Sequence, residues 1–124
     1  HCSGLQKSKT LYGIDKIRLL NTSKIAIVEG PSCVWKLYEH GIPAVSCLGK
    51  NFTNSQYELL KKLDVKKILF LNDDDEAGKE FRNRFVAEYH DKFSIYFSKL
   101  TAKDPSEMSD QDIKSNIFKI WEKM

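Results

Sequence analysis

A chain of 124 residues with a formal net charge of +3 and a pI near 8.7 has room for one domain and one sizeable core, not two. Hydrophobic residues make up 41% and charged residues 30%, and no apolar run approaches the roughly 18 residues needed to span a bilayer. These figures exclude a disordered tail and a membrane protein, and a balance this mildly basic permits a nucleic-acid partner without requiring one.

The first residues, HCSGLQKSK, are polar and carry no secretory stretch, and the chain opens on His rather than Met. Residues 1–22 are therefore expected to be a linker or the end of a preceding subdomain, and residues 23–124 the main domain, cut from a longer protein. Cys2, Cys33 and Cys47 show no C-x-x-C spacing, and two of them sit among apolar residues, which predicts free thiols and a reducing, cytoplasmic setting. His1, His40 and His90 lack the spacing of a zinc site.

In chain order, Ile14–Leu20 reads as a short helix. Ile25–Val28 is continuous and β-branched, as suits a strand buried on both faces. Gly30-Pro31 opens a helix that runs to about His40 and stops at Gly41. Pro43–Leu48 predicts a second strand. Thr53 and Gln56 form a capping box ahead of a helix whose apolar face carries Leu59, Leu60 and Leu63. Ile68–Leu71 is the third strand, and Ala77, Phe81, Phe85 and Tyr89 give the following helix one buried stripe. Ser94–Phe97 predicts a fourth strand. Ser109 caps a last helix with Ile113, Ile117, Ile120 and Trp121 on one side. Such alternation predicts an α/β, Rossmann-like fold: a central parallel sheet of about four strands with helices on both faces. Ligands in such folds gather beyond the carboxyl ends of the strands, where strand order reverses.

That is where the acids fall. Glu29 closes the first strand, and Asp73, Asp74, Asp75 and Glu76 follow the third. A helix cap, worth about 0.5–2 kcal/mol, explains one or two of them. It does not explain four consecutive acids beside a fifth on another strand. Two like charges about 4 Å apart repel by roughly 4 kcal/mol at an effective dielectric of 20. A divalent cation held by oxygen ligands, Mg²⁺ with Mn²⁺ as the alternative, relieves that repulsion. Gly78, in the first turn of a helix where glycine costs about 1 kcal/mol against alanine, suggests close approach to a ligand or to the sheet, and Gly30 points the same way. Lys79 and Arg82 follow on that helix and could meet phosphate, and Asp104-Pro105 is a further acid in a restricted turn.

Glu29-Gly30 after the first strand and Asp73-Asp74-Asp75 after the third resemble the signature of the toprim domain, shared by DnaG-type primases, topoisomerases and some nucleases. The run Asp73-Asp74-Asp75-Glu76-Ala77-Gly78 is most similar to bacterial and phage primases, as are Gly49, Thr53, Gln56, Asp104-Pro105 and the leading LYGIDKI. The resemblance covers about residues 11–115, with one departure: Cys33 stands where primases commonly carry an acid.

The resemblance implies the catalytic domain of a DNA primase, inactive as an isolated fragment, making RNA primers on a DNA template from nucleoside triphosphates beside a replicative helicase. It implies that Asp73 and Asp75 hold metal, with Glu29 a ligand or proton acceptor and Asp104 at the edge of the site. Gly30, Gly78, Lys50 and Lys79 would meet phosphate or template. A toprim nuclease or RNA-maturation enzyme, or a non-catalytic nucleic-acid-binding module, are the alternatives.

Overall fold

The computed structural model describes residues 11–47, 52–71, 76–98 and 108–124, with Pro31 in backbone only. Lys50, Asp73, Asp75 and Asp104 lie outside the described residues. Four strands form one sheet: β1 (Lys24–Val28), β2 (Ala44–Ser46), β3 (Lys67–Leu71) and β4 (Ser94–Phe97), in the order β2-β1-β3-β4. Every neighbouring pair is parallel. Among the described residues, five helical segments flank the sheet: α1 (Ile14–Leu20), α2 (Pro31–Glu39), α3 (Asn54–Lys62), α4 (Glu76–Tyr89) and a last helix assembled from α5 (Asp110–Asp112), a π-helical turn (Ile113–Ile117) and α6 (Phe118–Lys123). None of the helices is long and apolar enough to cross a membrane among the described residues.

The central strands explain their own burial. Ile25, Ala26, Ile27 and Val28 are all 1% exposed or less, and the alternation of a pleated strand sends them to opposite faces. Ile25 and Ile27 join Ile68, Phe70, Leu60, Phe81 and Phe85 beneath α1, α3 and α4. Ala26 and Val28 join Leu69, Leu71, Val34, Leu37, Ile113 and Trp121 beneath α2 and the last helix. Phe70 anchors the first layer, stacked on Phe85 at 4.7 Å and edge-on to Phe81 at 5.1 Å, contacts worth about 0.5–1.5 kcal/mol each beyond their burial. Leu11, Ile14 and Ile17, from the segment expected to lead in from a preceding unit, are packed in the same layer.

The local signals resolve into hydrogen bonds. In the capping box the Gln56 N–H donates to Thr53 Oγ1 at 3.2 Å while the Thr53 N–H donates to Gln56 Oε1 at 2.9 Å. Gly41, at φ 76°, ends α2 in a Schellman turn: its N–H donates to the Tyr38 carbonyl and that of Ile42 to the Leu37 carbonyl, both at 3.0 Å. Ser109 caps the last helix by accepting from the Asp112 N–H at 3.1 Å.

One expectation needs correction. Ala77 is exposed, and buried Gly78 begins the stripe that continues through Phe81, Phe85 and Tyr89. A helix turns once in 3.6 residues, so a strict four-residue repeat drifts off the face at its end. In the last helix the opposite happens. Ile113, Ile117 and Trp121, spaced by four, are all buried, and the widened π-turn keeps that spacing in line.

Candidate metal centre

The reversal of strand order lies between β1 and β3, which pair from Lys24↔Lys67 to Val28↔Leu71 and so end level with each other. Glu29 is the first residue beyond β1, at the carboxyl edge of the sheet, and only 7% of it is exposed. Its backbone is pinned from the β2 side. Ser46 Oγ donates to the Glu29 carbonyl at 2.8 Å, and the Cys47 N–H donates to the Val28 carbonyl at 3.3 Å. A rigid strand end therefore fixes where this carboxylate is placed. A buried carboxylate is expensive to keep without a cation or hydrogen-bond donors.

The connections set what else reaches this edge. β1 hands over to α2, which starts at the carboxyl end of the sheet. Gly30 is the residue before α2, with φ −111° in extended backbone, and no described atom lies within 4 Å of where a side chain's Cβ would stand. The described residues thus do not demand glycine there. Gly78 is the third residue of α4 and is buried; Lys79 beside it is exposed. Glu29, Gly30, Gly78 and Lys79 therefore all stand at the carboxyl side of the sheet, while Lys50, Asp73, Asp75 and Asp104 fall outside the described residues.

The donor chemistry around the edge is hard oxygen. No group of three His, Cys, Asp or Glu capable of holding a metal occurs among the described residues. His40 lies away from the edge, its Nε2 3.2 Å from Asp110, and His90 is exposed. Cys33, one helical turn beyond Glu29, is 3% exposed and turned into the second apolar layer. Among the described residues the edge thus offers Glu29 as an oxygen donor, the kind that suits Mg²⁺ or Mn²⁺.

Sequence reasoning missed two buried polar residues here. Ser46 is 0% exposed and ties β2 to the Glu29 backbone; its one signal was a hydroxyl inside the apolar run AVSC. Gln56 was seen as a cap but not as a core residue, 1% exposed.

With this geometry in hand, the chain can be compared with known proteins. Residues 26–109 match the Toprim-like family. The DNA primase of Deinococcus radiodurans is 34% identical over 79 residues, 61% of this chain and 14% of that primase, so the chain spans a small part of its relative's length. A solved DnaG catalytic core superposes with a TM-score of 0.76 at 22% identity, covering 99% of this chain and 42% of that one. The DnaG primase catalytic domain bound to single-stranded DNA superposes equally well, at 0.76 and 23% identity, covering 99% and 41%. Identities this low speak for the fold, while the family match spans most of the chain. The chain belongs to the Toprim-like family.

Proposed function

We propose that the chain is the catalytic Toprim part of a DNA primase, making RNA primers on a DNA template with a divalent metal. The observation that carries this reading is Glu29, a buried carboxylate at the end of β1 and level with the end of β3, which the sequence continues into Asp73-Asp74-Asp75. Adjacent strands lie about 4.8 Å apart. Covalent geometry keeps the Cα of Asp73 within roughly 7 Å of that of Leu71. In this reading both carboxylates serve one crevice, the place where open parallel sheets bind ligands.

In the reaction a primer 3′-hydroxyl oxygen attacks the α-phosphorus of a nucleoside triphosphate, a P–O bond forms, and pyrophosphate leaves with the bridging oxygen. Asp73 and Asp75 hold Mg²⁺ or Mn²⁺ directly, and Glu29 is a third ligand or accepts the hydroxyl proton. Asp104 stands at the edge of the site, through water. Lys50 and Lys79 offset phosphate charge, and Gly30 and Gly78 leave room for the phosphates against the backbone. A divalent metal bound by these oxygens supplies Lewis-acid stabilisation of the charge that develops on the transferring phosphate. The DNA template, nucleoside triphosphates and RNA primer are the ligands of this reading, and a replicative helicase is its protein partner.

The test is primer synthesis by the full-length protein on a single-stranded template. Asp75→Asn and Glu29→Gln should each lower the rate by at least about 100-fold, a loss typical of disturbed metal sites, with the melting temperature in EDTA unchanged or raised. Undiminished synthesis by the Asp75→Asn protein refutes the assignment.

A further inference from the structure

A second site-like feature lies at the β2 edge of the sheet, outside the acidic crevice. The backbone of Tyr12 bridges Ser46 there, donating at 2.8 Å and accepting at 3.0 Å, and so covers the open side of β2. Beside it is a cavity of about 360 Å³ whose walls include Tyr12, Lys16, Arg18, Trp35 and Tyr38. That volume is within the range of small-ligand pockets.

Four observations describe what the cavity is suited to hold. Trp35 is 52% exposed, yet its orientation is fixed: Nε1 donates to the Tyr12 hydroxyl at 2.9 Å, and the two rings meet edge-on at 6.3 Å. An exposed indole already fixed in one rotamer loses little further entropy when a second ring stacks on it. Lys16 Nζ lies 5.1 Å from the Trp35 ring and 4.9 Å from the Tyr38 ring, and it pairs with no carboxylate among the described residues. The cation therefore keeps its N–H donors for an anion. Asp15, on the rim, is already matched by Arg18 at 2.8 Å in an exposed pair that solvent screens. The Tyr38 hydroxyl is buried and faces the backbone of Ala44, leaving its ring as the part of the side chain beside Lys16.

An aromatic platform beside an unpaired cation is the combination that holds single-stranded nucleic acid: a base stacks on the ring and the phosphate meets the ammonium. The position agrees: Trp35 is the fifth residue of α2, which begins two residues after Glu29. The geometry points to the Trp35–Lys16–Arg18 surface as a subsite for a single-stranded DNA segment flanking the strand engaged at the acidic edge. This deepens the proposed function and rests on it for the identity of the strand.

The test is the affinity of a fluorescein-labelled oligothymidylate, followed by anisotropy in EDTA so that the acidic edge carries no metal. Trp35→Ala weakens binding by about 5- to 100-fold, and Trp35→Phe, which keeps a ring, restores most of it. Lys16→Ala lowers the slope of log K against log salt by about 0.7. Asp75→Asn, expected to abolish primer synthesis, binds no more weakly than the parent. Equal affinity in the parent and in a folded Trp35→Ala protein overturns the subsite, as does an equal loss in Trp35→Phe. Primer synthesis surviving in Asp75→Asn while Trp35→Ala loses binding leaves the subsite standing and removes the catalytic reading instead.

Discussion

The two ends of the same pair of strands are built on opposite rules. At the amino end, Lys24 and Lys67 stand side by side across β1 and β3, two like charges in register. The chain compensates there with its own groups: Lys24 Nζ donates to the Trp121 carbonyl at 2.9 Å and lies 4.6 Å over the Trp121 ring, at the carboxyl end of the last helix. The Ser23 carbonyl accepts from the N–H groups of Lys66 and Lys67 at 2.7 and 3.1 Å. At the carboxyl end stands a buried glutamate, Glu29, just beyond β1. One end is closed by protein groups; the other carries a buried carboxylate. In the proposed function the difference separates charge kept for folding from charge kept for a ligand.

Paired substitutions sharpen that contrast. The largest effect is functional: Asp73→Asn or Asp75→Asn should remove primer synthesis in the full-length protein by at least about 100-fold while melting in EDTA moves up, as repulsion is relieved. Between the two ends, Phe70→Ala should unfold the sheet from its centre, losing about 3–5 kcal/mol in urea titration, because three aromatic partners surround that ring. At the amino end, Lys24→Met should reverse the pattern of the aspartates, lowering stability by about 1–2 kcal/mol with catalysis per folded molecule unchanged. Should Lys24→Met instead impair synthesis with stability intact, the division between the ends fails. Thr53→Ala should cost about 1 kcal/mol through the lost cap of α3.

The smallest effect is a pH dependence. Hydrogen bonds from Lys36 and then His40 hold the exposed Asp110 carboxyl below the usual carboxylate range. A depressed folded-state pKa gives stability that is present above the unfolded value, about 4, and lost as pH falls through the folded one. Asp110→Asn should therefore lower the melting temperature slightly at pH 7 and by less at pH 3. An unchanged difference at both pH values contradicts that pairing.

How much of this was legible follows from what each signal depends on. The strands and α1 through α4 were legible because continuous β-branched runs, Gly41 and the Thr53–Gln56 box act locally. The place of Glu29 at the carboxyl edge was legible because it closes a continuous apolar strand. Ser46 was not, since its role depends on which strand neighbours β1, a fact of topology rather than of local sequence. Nor was the platform at Trp35, which forms only when α2 comes to lie beside Tyr12 and Lys16. The π-turn was hidden because a four-residue spacing reads equally as a regular helix.

The most direct test of the account is Mn²⁺ binding followed by electron paramagnetic resonance, which needs no turnover. The account predicts that the parent protein binds Mn²⁺, that Asp110→Asn binds it equally, and that Asp75→Asn and Glu29→Gln do not. Mn²⁺ held by Asp75→Asn with the parent's affinity would contradict it.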